Sequence, residues 1–103
     1  MIEIETLQRR LREFADERDW EKYHSPKNLV MALSVEVAEL QEHFQWLSNE
    51  QSLSLDDEAR DSVALEMADV LIYLVRMADR CGIDLSEAVN RKLVINAHKY
   101  PAE

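Results

Sequence analysis

Glycine occurs once in 103 residues and proline twice, which leaves few places for tight turns and argues for long helices. Cysteine also occurs once, as Cys81, so no disulfide can form within the chain and nothing points to an oxidising compartment. A cytoplasmic setting is the expectation. Long apolar runs are missing as well. The stretch from Met67 to Val75 is broken by Asp69 and is too short to span a bilayer, so no membrane partner is expected. The opening residues Ile2-Glu3-Ile4-Glu5 alternate apolar with acidic and have no basic segment ahead of an apolar one, so a secretory leader is not expected. Basic residues are the minority charge, 12 against 21 acidic, for a formal net charge of −9. That balance disfavours nucleic-acid polymers, whose binding relies on Lys and Arg neutralising phosphates. A small phosphate ligand arriving with a metal is still compatible with it.

What is present is helical periodicity. The length suits one domain over residues 1–103, and 47% hydrophobic residues are enough for a core. A first helix is expected from Ile4 to about Arg18, with Ile4, Leu7, Leu11 and Phe14 at helical spacing. Ser25-Pro26 reads as an N-cap followed by proline at the first helical position, so a second helix starts there and runs through Trp46 or Leu47. The polar stretch Ser48–Ser52 reads as an exposed connection to a third helix, from about Asp56 to Arg80. Gly82 sits where a left-handed C-terminal cap belongs, and Asp84-Leu85-Ser86-Glu87 resembles a capping box for a fourth helix reaching about His98. The expected class is all-α, a four-helix, bundle-like fold.

Acidic residues are threaded into the most apolar parts of this pattern. Glu36 and Glu39 stand in Ser34-Val35-Glu36-Val37-Ala38-Glu39-Leu40, and Glu66 and Asp69 in Leu65-Glu66-Met67-Ala68-Asp69-Val70-Leu71. Residues three apart share a helix face, so each pair can present two carboxylates to one point. At about 100° per residue, Leu29, Leu33, Val37, Leu40, Phe44 and Leu47 form an apolar arc of roughly 80° that Glu36 and Glu39 border. The third helix is apolar nearly all round, except for a stripe of Glu66, Asp69, Tyr73, Arg76 and Arg80. If these two helices pack antiparallel, all four carboxylates converge. Crowded in low dielectric, they must either take up protons or share a divalent cation. The competing reading is salt bridging, with Arg76 or Arg80 neutralising Glu66 or Asp69, although basic partners near Glu36 and Glu39 are scarce.

The order Glu36-x-x-Glu39 then Glu66-x-x-Asp69 on central helices of a small all-α chain resembles the MazG-like nucleoside triphosphate pyrophosphohydrolases. The flanking segments are similar to the dCTP pyrophosphatase branch: Phe14-Ala15-Asp16-Glu17-Arg18-Asp19-Trp20, His24-Ser25-Pro26-Lys27-Asn28-Leu29, Phe44-Gln45-Trp46, Asp69-Val70-Leu71-Ile72-Tyr73-Leu74 and Lys92-x-x-x-Asn96-x-x-x-Tyr100-Pro101. The resemblance implies hydrolysis of a deoxynucleoside triphosphate between its α and β phosphorus atoms, giving monophosphate and pyrophosphate. It implies Mg²⁺ as cofactor, held by Glu36, Glu39, Glu66 and Asp69, with Glu36 or Glu39 also taking the proton of the attacking water. Trp20 and Trp46 are implied around the base, His24 on the base or a phosphate, and Tyr73 on a phosphate or a metal-bound carboxylate. Lys92 and Asn96, four apart on one face, are implied on the phosphates or sugar. Vertebrate members of the branch carry a histidine on the first helix near the substrate; Leu11 or Arg12 occupies that neighbourhood here. The substrate range therefore stays open among dCTP, 5-modified dCTP and a wider group of triphosphates.

Met31, Val35, Ala38 and Trp46 make a second apolar strip on the second helix, which in a monomer would lie in water. A homo-oligomer is expected, and the resemblance implies a dimer or tetramer whose neighbouring subunits complete each site. Two other functions compete. A non-enzymatic acidic oligomerisation module would use the same carboxylates only for salt bridges. A di-iron carboxylate protein would need Glu-x-x-His pairs on two helices, and the one match, Glu21-x-x-His24, precedes Pro26.

Overall fold

A computed structural model describes residues 2–102. Its described residues form five α-helices and one 3₁₀ turn, with no strand: α1 (Ile4–Glu17), the 3₁₀ turn (Glu21–Tyr23), α2 (Pro26–Glu42), α3 (Asn49–Ser52), α4 (Asp57–Cys81) and α5 (Leu85–Lys99). The all-α class is as expected. Two boundaries differ. The second helix ends at Glu42 rather than at Trp46 or Leu47, because the amides of His43 and Phe44 bond three residues back, to Leu40 and Gln41, and tighten the chain into turns. The connection Ser48–Ser52 contains its own helical turn, nucleated by a capping box. Ser48 Oγ accepts from the Gln51 amide at 3.1 Å, and Gln51 Oε1 accepts from the Ser48 amide at 2.9 Å.

The α2–α4 pair is the framework. Ser25 Oγ caps α2 by accepting from the Asn28 amide, and Asp56 caps α4 by accepting from the Ala59 amide at 2.8 Å. His24, just before α2, accepts from Arg80 near the end of α4, whereas Glu36 further along α2 meets Glu66 further back on α4. The two helices therefore run antiparallel, as the acidic pairs require. Leu29 and Val75 are fully buried in this framework, and Leu29→Ala would cost about 2–5 kcal/mol.

Helix α1 packs on α4 and ends in the same motif that ends α4. Gly82 (φ 67°) ends α4, with Gly82 N–H on the Asp79 carbonyl and Ile83 N–H on that of Ala78. At the end of α1 the left-handed residue is Asp19 (φ 54°), with Asp19 N–H on Asp16 and Trp20 N–H on Ala15. This turn folds Trp20 back against Phe14, ring centroids 5.5 Å apart, and so directs the segment 20–25 onto α4.

Much of the apolar surface is left uncovered within one chain. Among the described residues only Ala15, Leu29, Val63, Val75 and Ala78 are buried apolar residues, and no residue of α5 is buried. The radius of gyration is 16.5 Å. A compact domain of this length would have roughly 13 Å. No helix among the described residues is long and apolar enough to cross a membrane.

Candidate active site

Carboxylate oxygens of Glu36, Glu39 and Glu66 lie within 4.8 Å of one another in the seam between α2 and α4. Asp69 stands outside that tight group, yet its charge bears on both Glu36 and Glu66. Among the described residues no basic side chain forms an ion pair with the group. Arg76 and Arg80, the candidate salt-bridge partners in the sequence, bond instead to Asp79, His24 and Glu21. Glu36 Oε2 and Glu66 Oε2 are closed off from solvent and accept no hydrogen bond. An oxygen that loses water without gaining a donor destabilises the fold, so two at one point make an unfavourable arrangement for the chain alone. Loss of water from the seam, followed by the proximity of Glu39, pushes the Glu36 carboxyl up to about 7; the same desolvation and the Glu39 charge push Glu66 up. The two share a proton more readily than both ionise. All-oxygen donors with unused lone pairs fit a hard divalent cation.

Beside this group opens a cavity of about 460 Å³. Leu7, Leu11 and Phe14 of α1 and Ile72 of α4 supply apolar wall, while Trp20, His24, Asp69, Tyr73 and Arg76 supply the chemistry. Asp69 thus borders both cavity and acidic group. Trp20, His24 and Tyr73 come together on its wall. Leu11, not Arg12, takes the α1 position facing the cavity, since Arg12 is turned to Asp79 in a two-pronged contact of 2.7 and 3.1 Å. Trp46, Lys92 and Asn96 do not line it, and Trp46 is 87% exposed.

Arginines hold the far wall. Arg80 Nη1 donates to Glu21 Oε1 at 2.7 Å and its Nε to the His24 carbonyl at 3.0 Å, which fastens the 3₁₀ segment to α4. Arg76, only 3% exposed, donates from Nη1 to Asp79 Oδ2 at 3.1 Å and from Nε to His24 Nδ1 at 3.2 Å. Asp79 is held below the usual carboxylate range, first by the Arg12 hydrogen bond. Burial, reinforced by Arg76 and Arg80, pushes the His24 imidazole down, which keeps it neutral. Arg76 is the site residue that the sequence reading assigned otherwise, as a salt-bridge partner of Glu66 or Asp69. The signal was its spacing: Asp69, Ile72, Tyr73 and Arg76 stand at intervals of three, four and seven on one helical stripe. Glu21 and His24, the one Glu-x-x-His match, are both bonded to these arginines rather than joined to the carboxylate group, so no di-iron ligand set forms from them.

Comparison with known proteins agrees with this architecture. Residues 31–103 match the MazG-like family. The chain is 48% identical over 101 residues to human dCTP pyrophosphatase 1, covering 96% of this chain and 59% of that protein. The bovine dCTP pyrophosphatase 1 is 46% identical over 100 residues, with 95% and 59% covered. The chain therefore spans about three-fifths of the length of these curated relatives. The crystal structure of a pyrophosphatase from Archaeoglobus fulgidus superimposes with a TM-score of 0.90 at 46% identity, covering 99% of this chain and 95% of that one. A match over residues 31–103, joined to relatives of this identity across nearly the whole chain, means that the chain belongs to the MazG-like family.

Proposed function

We propose that the chain, acting as one domain, is a Mg²⁺-dependent nucleoside triphosphate pyrophosphohydrolase that cleaves a dNTP between the α and β phosphates to dNMP and pyrophosphate, with dCTP or a modified dCTP favoured. The observation that carries this reading is the unpartnered Glu36, Glu39 and Glu66 group beside an aromatic-walled cavity that Asp69 also borders. The names of the relatives, dCTP pyrophosphatase 1, support the reaction and the base. Such an enzyme serves to clear unwanted nucleotides from the pool, in a cytoplasmic setting.

Glu36, Glu39, Glu66 and Asp69 would hold Mg²⁺, which when bound neutralises triphosphate charge and readies a water for attack. The remaining work falls to the chain. Glu36 or Glu39 accepts the proton of that water. Trp20 offers its ring to the base, Tyr73 its hydroxyl to a phosphate or carboxylate, and the walls of Leu7, Leu11 and Phe14 keep bulk water from the base. Trp46, Lys92 and Asn96 belong to the site only if a second copy brings them there. A homo-oligomer, dimer or tetramer, is favoured by the exposure of Met31 (58%) and Val35 (57%) on the second apolar strip of α2 and of Trp46 in the turns that follow it. A monomeric mass by light scattering would remove that part of the reading.

The decisive experiment incubates the chain with a panel of NTPs and dNTPs and Mg²⁺ and identifies the products. Pyrophosphate and monophosphate are expected from at least one dNTP. Orthophosphate and diphosphate would overturn the bond assignment, and no product from any nucleotide would overturn the activity.

A further inference from the structure

Arg76 has three nitrogen groups and uses two. Nη1 is spent on Asp79 and Nε on His24, while Nη2 is shut off from solvent and bonded to nothing. A guanidinium can only donate, so this is a donor without an acceptor in a residue that lines the cavity. The contact with His24 has a second consequence. Because Arg76 Nε–H points at His24 Nδ1, that nitrogen must be the bare one, and the neutral imidazole carries its proton on Nε2. His24 lines the same cavity. One end of the cavity is therefore lined by an imidazole whose N–H position Arg76 sets, while Arg76 Nη2 itself is closed off from the cavity.

Position along α4 says what that imidazole would meet. Asp69 and Arg76 both line the cavity and are seven residues apart on one stripe, a rise of about 10 Å. With the triphosphate drawn to the carboxylates at the Asp69 end, the base falls at the Arg76 end, beside the Trp20 ring. We propose that Arg76 is a positioning residue for base selection: by donating to His24 Nδ1 it fixes the imidazole proton on Nε2, and that Nε2–H donates to a ring-nitrogen acceptor of the nucleobase. Cytosine presents such an acceptor in N3. Uracil and thymine carry a hydrogen on N3, which sets donor against donor and leaves the His24 Nε2–H unpaired. This inference rests on the nucleotide reading above and adds to it a means of choosing the base that needs no histidine on α1.

The test compares kcat/KM for dCTP, dUTP and dTTP in the wild type and in Arg76→Met, which keeps an unbranched apolar stem but removes every donor. Arg76→Lys serves as a second variant that keeps a charge in place should Met prevent folding, as judged by circular dichroism melts. Calorimetric binding of dCMP and dUMP gives a readout independent of turnover. The wild type is expected to prefer dCTP. In both variants the dCTP-to-dUTP ratio should fall by about 10-fold or more, mainly through KM, with dCMP affinity falling in parallel. Equal losses for all three substrates, an unchanged ratio or a wild type indifferent to the base would each overturn the role of Arg76. Failure of the wild type to form pyrophosphate from any nucleotide would instead overturn the reading beneath it.

Discussion

Glu66 on α4 faces the carboxylates of Glu36 and Glu39, whereas Arg76 and Arg80, further along the same stripe, face Asp79, Glu21 and His24. At the first end like charges converge, two oxygens are orphaned and protons are retained. At the second, guanidiniums interlock with carboxylates and a carbonyl, and they fasten the 3₁₀ segment that carries His24. Charges that meet their opposites have been used up in holding the chain together. Charges left without partners are the ones free to hold something else. The single group at the second end that breaks its own rule is Arg76 Nη2, which is why it stands out there as the acids do at the other end.

Glu36→Gln should break the comparison most severely. Hydrolysis should fall by ~10²–10⁴-fold if Glu36 is the proton acceptor, and remain far below wild type if it serves only as a ligand. The same substitution should raise the melting temperature of the metal-free protein, since it removes one member of a crowded acidic group. Loss of activity together with loss of metal-free stability would mean that Glu36 is structural and the two ends do not differ as described.

A smaller effect, but one that separates the ends directly, is the pH dependence of stability. The Glu36 carboxyl titrates at about 7 in the fold against 4.5 ordinarily, so its protonated form stabilises the fold fully below about pH 4.5 and that contribution is lost as pH rises through about 7. Asp79 is shifted the other way, and its contribution is present above 3.8 and lost as pH falls below it. In chelator, the melting temperature should therefore fall between pH 5 and 8 in the wild type and much less in Glu36→Gln. Mg²⁺ should oppose that fall, stabilising by about 2.7 kcal/mol when present at a hundred times its dissociation constant. A melting temperature indifferent to both pH and Mg²⁺ over this window would count against the carboxylate group as a cation site.

How far the sequence discloses the two ends follows from the range of the interactions at each. Glu36, Glu39, Glu66 and Asp69 are legible because a spacing of three on an apolar helix is a local signal, and only one further assumption, antiparallel α2 and α4, brings them together. The role of Arg76 was hidden because it depends on His24, 52 positions earlier, returning to α4. That return is set by Asp19 in a left-handed conformation usually left to glycine, and no composition rule marks it. Trp46, Lys92 and Asn96 show the opposite case. Their spacing on a face is plain, but a single chain supplies nothing for that face to meet. The early end of α2 was lost for a related reason, since Phe44 and Leu47 continue the apolar period although the backbone has already tightened into turns.

The smallest effect belongs to the partnered end, and its size is informative. Glu21→Gln removes a 2.7 Å contact to Arg80, but the Glu21 side chain is 54% exposed and that of Arg80 33% exposed, so water screens the pair. Arg80 also keeps its bond to the His24 carbonyl, which holds the 3₁₀ segment without help from Glu21. The expected cost is about 0–1 kcal/mol in urea unfolding, shrinking further in high salt, with hydrolysis close to wild type. A loss of several kcal/mol, or a large rise in KM, would show that the segment depends on this one pair. The partnered end would then be as sensitive to the loss of a single charge as the carboxylate end, and the stripe would no longer divide into a fastening half and a binding half.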